Sequence, residues 1–195
     1  GSLVVAHFGQ IEWEEGLLEL ATGIKHAIKE TPSLERRIQL VLCGIGSFST
    51  QLRESLIALG IDDKVLFVAP GRKAVDTVLQ AADCVYLAST PARDRIEGEP
   101  FRILSAMTHE IPILANRNPI VEEFCGKHRF DFCFGSAISI ASALTKSVDS
   151  AALRNDTTKK NASVVNANYT SEKAQQSMLA LFEKLSATVP TLDES

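Results

Sequence analysis

No apolar run in the 195-residue sequence approaches the roughly 20 residues that a membrane-spanning helix needs. The first residues, GSLVVAHFG, lack the charged, apolar and small-residue regions of a signal peptide. Neither a membrane segment nor a secretory leader is expected within these residues. Gly1-Ser2 reads as a cloning remnant, so the expectation is a domain cut from a longer protein. An excess of positive charge is also lacking: the formal net charge is -4, which supplies no broad field to recruit nucleic acid or anionic lipid. Cys43, Cys84, Cys125 and Cys133 stand singly, with no CxxC pair and no Cys/His pair at zinc-ligand spacing. A reducing, cytoplasmic setting is therefore expected. No internal repeat, Ser/His/Asp arrangement or metal-ligand cluster stands out, and no cofactor is expected.

What is present is ordinary globular composition, 45% hydrophobic and 23% charged, in a chain of one-domain length. Short β-branched apolar runs alternate with longer amphipathic stretches, the pattern of repeated βα units around a parallel sheet. Strands are predicted at Leu3–His7, Ile38–Cys43, Val65–Val68, Cys84–Leu87, Ile111–Ala115 and Phe132–Phe134. Helices are predicted at Gly16–Lys29, Ser49–Leu59, Ala74–Ala81, Phe101–His109, Ile120–Phe124 and Ala137–Val148. In the first helix Leu17, Leu20, Ala21, Ile24 and Ile28 recur at three- and four-residue spacing, which sets one face against the sheet. The fold class read from this rhythm is α/β, a parallel sheet of six strands flanked by helices.

Residues 1–149 form the sheet domain in this reading, 150–168 a flexible connector poor in apolar residues, and 169–195 a closing helix and tail. Met178, Leu179, Leu181, Phe182 and Leu185 give that helix, predicted from Ser171 to Leu185, an apolar side. Asn155, Asn161 and Asn168 each begin an Asn-x-Ser/Thr triplet. Such triplets arise easily by chance in an Asn/Ser/Thr-rich segment.

Ligands of open α/β sheets bind beyond the carboxyl ends of the strands, where strand order reverses. The segments that follow strands therefore carry the search. The most specific stretch is Cys84–Ala115, CVYLASTPARDRIEGEPFRILSAMTHEIPILA. Ala82-Asp83, the strand and Ser89, then Glu97 through Ala106-Met107 to Pro112, resemble the signature of retaining GT-B glycosyltransferases. Phe8-Gly9 with Gly16, Cys43-Gly44-Ile45-Gly46, Val65–Gly71 and Asn168–Ala174 resemble further segments of that family in the same order. The resemblance covers most of the chain. It implies a Rossmann-like C-terminal GT-B domain that binds a nucleotide-sugar, UDP- or GDP-linked, and needs an N-terminal GT-B half for turnover.

A diphosphate needs backbone N–H groups at a helix N-terminus and a cation, and ribose and sugar hydroxyls need carboxylates. By resemblance, the phosphate-binding Arg and Lys positions of the opening loop hold Gln10 and Glu15, and the ribose-binding Glu position holds Ser105. Glu97 retains the donor-sugar role, with Glu99 as second choice in an alignment that also places Pro100-Phe101 in the signature. Donor-sugar candidates are thus Glu97, Glu99, Phe101 and Arg102. Gly9, Gln10, Arg93 and Arg95 are diphosphate candidates, and Gly44, Pro70, Gly71 and Ser105 nucleoside candidates. A Glu beside a diphosphate repels it; Arg93, Arg95 and Arg102, near the start of the signature helix, are candidates to compensate, or else pair with Asp94, Glu97 or Glu99.

Gly44 and Gly46 fit a tight strand-to-helix turn better than a dinucleotide fingerprint. His7, at the end of the first strand, is expected to face the cleft. His109 suits the carboxyl end of its helix, Asp83 is expected to be structural, and Trp13 either contacts ligand or partner domain or packs over the first helix. The acidic trio Glu12, Glu14 and Glu15 reads as a solvated helix entrance. Two functions stand open: the donor-binding domain of a hexosyl-transferring enzyme, acting on a glycan, lipid or other acceptor, or a GT-B-like binding or scaffolding module without donor chemistry.

Overall fold

The apolar runs become strands that pair side by side, and the amphipathic stretches become the helices that cover them. A computed structural model describes residues 3–88, 101–149 and 151–188. In chain order these form β1 (Leu3–Gln10), α1 (Leu17–Glu30), β2 (Ile38–Ile45), α2 (Ser49–Leu59), β3 (Val65–Val68), α3 (Arg72–Ala81) and β4 (Cys84–Leu87). Then follow α4 (Phe101–Thr108), β5 (Ile113–Asn116), α5 (Pro119–Cys125), β6 (Phe130–Phe132), α6 (Ala137–Asp149), α7 (Ala151–Asn168) and α8 (Ser171–Thr188). The strands make one sheet in the order β3-β2-β1-β4-β5-β6. Every pairing is parallel.

Side chains alternate across the pleat, so each strand feeds two cores. Val5, Leu40, Leu42, Tyr86, Leu114 and Phe132 face the layer that holds Leu20 and Ile24 of α1, Leu52 and Leu56 of α2, and Ile140 and Leu144 of α6. Ala6, Phe8, Cys43, Val85, Leu87, Ile113 and Ala115 face the opposite layer, with Leu79, Ile103, Met107, Val121 and Phe124. Each fully buried Leu or Ile contributes roughly 1.5–3 kcal/mol relative to an exposed one.

Three boundaries moved for identifiable reasons. The expected strand Ile111–Ala115 begins at Ile113, because Pro112 has no N–H for the ladder; its carbonyl instead accepts from Val85 N at 2.9 Å. The last strand is Phe130–Phe132 rather than Phe132–Phe134. Phe130 and Phe132 are both buried, while Asp131 between them is exposed and pairs with Arg129 at 2.6 Å. After it, Cys133 N donates to Ser139 Oγ at 2.9 Å and leaves the ladder.

The third difference is larger. The connector expected over 150–168 is helical from Ala151 to Asn168. Thr157, Asn161 and Val165 are buried at four-residue spacing, with Thr158 beside them. The buried face is largely polar, which is why apolar periodicity does not reveal it. Asn161 Nδ2 donates to the His128 carbonyl at 3.0 Å, so the asparagine of this Asn-x-Ser triplet is buried against the body of the molecule, while Ser163 is exposed. Asn155 and Asn168 are exposed on the same helix.

Candidate functional site

Sheet order points to the site. From β1 the chain builds outward through β2 to β3, then returns to lay β4 on the other side of β1 and continues to β5 and β6. The carboxyl ends of β1 and β4 therefore form the topological switch point, where a crevice opens in such sheets.

One wall is the segment after β1. Strand β1 runs three residues and β2 two residues further than expected, and they pair through Phe8↔Cys43, Gly9↔Gly44 and Gln10↔Ile45. They approach so closely that a Cβ on Gly44 would collide with the Gly9 carbonyl. Gly44 thus belongs to β2 and permits the pairing of the two strand ends. The chain continues through a 3-10 turn at Trp13–Glu15. Ile11 N donates to Ile45 O at 3.0 Å and Phe48 N to Ile11 O at 3.2 Å, tying the segment to the loop after β2. Glu12 accepts from Ser47 N at 3.0 Å and from the Ser47 hydroxyl. Trp13 is 56% exposed and sets its edge against Phe48, with ring centroids 5.1 Å apart. Phe48 stands just before α2, so the ring lies beside that helix.

Beneath this wall lie buried polar groups. Glu15 is 0% exposed, so the acidic trio is not a solvated helix entrance: only Glu14 is exposed, Glu12 is tied to Ser47, and Glu15 faces inward. Glu15 Oε2 accepts from Arg102 Nη1, on the first turn of α4, at 2.7 Å. Tyr86, in the centre of β4, donates its hydroxyl to the Gly16 carbonyl at 2.9 Å and stacks on Phe132 at 5.3 Å. This tyrosine was not among the sequence candidates, although a Tyr in an otherwise apolar buried strand demands a partner for its hydroxyl. Burial raises its pKa well above the ordinary tyrosine value, with Glu19 and Glu15 adding to the effect.

His7 does not face the cleft. It is fully buried, and Nε2 lies 3.0 Å from the Gln10 carbonyl, which can only accept, so Nε2 carries the proton. Burial lowers its pKa to about 4, Glu15 opposes that shift, and Arg102 reinforces it. The ring is thus a neutral support for the end of β1. Asp83 is structural as expected: its Oδ2 accepts from Val4 N at 2.8 Å. His109 Nδ1 lies 2.9 Å from the Ser105 carbonyl, near the carboxyl end of α4.

The structure brings Gly9 and Arg102 together at the switch point, with exposed Gln10 next in the chain. A Cβ on Gly9 would stand 3.3 Å from Arg102 Cδ and 3.4 Å from Nη1, and Gly9 has φ +129, a conformation suited to glycine. Phe101 and Ser105 share α4, with Phe101 exposed and Ser105 half-buried. Pro70 and Gly71 are exposed beyond the edge strand β3, two strands from β1. Arg93, Arg95, Glu97 and Glu99 lie outside the described residues, as do Asp94 and Ser89. Among the described residues there is no cluster of His, Cys, Asp and Glu suited to a metal ion. Nor is any helix there long and apolar enough to cross a membrane.

The same architecture recurs among known proteins. The C-terminal domain of a glycosyl transferase group 1 family protein from Francisella tularensis superposes with a TM-score of 0.73, at 19% identity over 88% of each chain. A glycosyltransferase from Rickettsia africae gives a TM-score of 0.80 at 14% identity, covering 97% of this chain and 49% of its own. HepE from Anabaena, in complex with UDP and glucose, gives 0.79 at 17% identity over 94% of this chain and 48% of that one. In sequence, the chain is 23% identical to alpha-monoglucosyldiacylglycerol synthase of Streptococcus pneumoniae over 151 residues, 76% of this chain. It spans about a third of that relative, 32% of its length. The family described as glycosyl transferases group 1 matches residues 3–164, from the first strand into α7. With its six-stranded parallel sheet and a family match from the first strand into α7, the chain belongs to the glycosyl transferases group 1.

Proposed function

We propose that this chain is the donor-binding part of a glycosyltransferase, holding a UDP- or GDP-sugar in the crevice between the ends of β1 and β4. The transferred group in this reading is hexosyl, and the acceptor is a glycan, lipid or other hydroxyl-bearing molecule. The observation that carries the reading is the meeting of exposed Gly9 with Arg102 at the switch point of a group 1 family sheet, with Gln10 exposed beside it. Exposed backbone at a strand end and the first turn of a helix suit phosphate oxygens. The UDP and glucose bound to the Anabaena relative support the same ligand class.

Turnover requires an acceptor site on a second, N-terminal half. Coverage of about half the length of two structural relatives supports this, as does the exposed apolar stripe of α8. The setting proposed is the cytoplasm, where the free thiols of Cys43, Cys84, Cys125 and Cys133 stay reduced.

One observation favours a second reading, a binding or scaffolding module without donor chemistry. Arg102 is already engaged by a buried carboxylate, which leaves less positive charge for a diphosphate. Calorimetric titration of the chain with UDP, GDP and their glucose conjugates separates the two. The donor reading expects saturable binding at micromolar to millimolar ligand. Absence of binding at several millimolar overturns it in favour of the second.

A further inference from the structure

We propose that the Glu15–Arg102 pair sets how strongly the crevice holds a phosphate-bearing ligand: Arg102 meets the phosphate, while Glu15 positions it and cancels part of its charge. This inference rests on the donor-binding reading above and adds the group that governs its affinity.

The pair bridges the two sides of the switch point. Glu15 ends the 3-10 turn that follows β1, and Arg102 opens α4, the helix that follows β4. Their 2.7 Å contact therefore joins the segments that follow β1 and β4, beside which a ligand is expected. Burial is unequal. The carboxylate side chain is 0% exposed and the arginine side chain 24%, so the cation lies on the solvent side with the anion behind it.

A guanidinium has five N–H donors in a planar fork, and the bond to Glu15 is made from Nη1. The remaining geometry suits phosphate oxygens approaching from the crevice. Gly9 provides the room. Any side chain there would press on the Arg102 stem and guanidinium, and the backbone at φ +129 disfavours one as well. The end of β1 thus lets an arginine lie across it.

Electrostatics then gives the sign. Glu15 stands one guanidinium-width behind any phosphate that Arg102 binds, and it repels that phosphate through a partly buried, poorly screened path. Glutamine at position 15 keeps an acceptor oxygen for Arg102 but removes the repulsion. Glu15→Gln is expected to tighten binding about tenfold, the effect of a unit charge at this separation in a partly buried site. Arg102→Gln is expected to weaken binding by at least about tenfold.

The test titrates the chain and the variants Glu15→Gln, Arg102→Gln and Arg102→Lys with UDP, inorganic pyrophosphate and uridine, following thermal unfolding alongside. The expected result is that the two glutamine substitutions shift UDP and pyrophosphate affinity in opposite directions and leave uridine affinity unchanged. Arg102→Lys is expected to retain part of the phosphate affinity. UDP binding of equal strength in the wild type and Glu15→Gln overturns the proposal and leaves the donor reading intact. Absence of UDP binding in both overturns the two together. Should Arg102→Gln fail to fold, Glu15→Gln against the wild type still decides.

Discussion

Burying a histidine in neutral form beneath a crevice makes stability depend on pH. The His7 ring has a folded pKa of about 4, against 6.5 for the ordinary group. The unfolded chain therefore binds a proton that the folded chain refuses between those values. The stability this neutral ring preserves is present above about pH 6.5 and is lost as pH falls toward 4, by about 3 kcal/mol in all. Urea midpoints of the wild type and His7→Gln are expected to diverge across this window, with the variant showing the flatter dependence. Parallel curves would show that His7 does not titrate as its burial requires. Glu15 and His7 were both visible in the sequence at the end of the first strand. Their burial was not, because it depends on α4 and β4 arriving from about 70 to 90 residues away to cover them.

Helix α7 shows where periodicity stops being informative. Its buried positions are Thr157, Thr158, Asn161 and Val165, and three of those four are polar. A helix selected by packing and hydrogen bonding in this way leaves no apolar stripe for sequence reading to find. Asn161→Ala removes the donor to the His128 carbonyl and is expected to cost about 1–3 kcal/mol. Asn155→Ala, at an exposed position, is expected to stay within about 0.5 kcal/mol of the wild type. Chemical denaturation of the two variants checks the contrast, and equal midpoints would place Asn161 outside the packed interface. By comparison α2, β3 and β4 fall on their predicted bounds. Their apolar side chains repeat at the period of the element, so local sequence and tertiary burial agree.

The whole chain carries an uncovered apolar stripe. Met178, Leu181, Phe182 and Leu185 recur along α8 at helical spacing and are 52–60% exposed, and every described side chain from Ser171 to Ser186 is exposed. A stripe of this kind seeks a partner. The chain alone is expected to self-associate at micromolar concentrations in sedimentation runs. Leu181→Glu with Leu185→Glu is expected to restore the monomer without moving the unfolding midpoint. A wild-type monomer at all concentrations would show that the stripe is tolerated by solvent. The alternation of β-branched runs with amphipathic stretches sufficed to specify α/β architecture, because strand and helix periods are local properties of the chain; the family came from the resemblance of its motifs. The signature residues also pointed to α4, the helix that follows β4. What required the tertiary structure was the charge balance there. Sequence alone set Glu15 beside a possible phosphate as a repelling group, and Arg102 as one of three arginines with several carboxylates to choose among. Folding brings those two together across the switch point, in a 2.7 Å contact. Electrostatic partners are chosen by distance in space, which no spacing along the chain records.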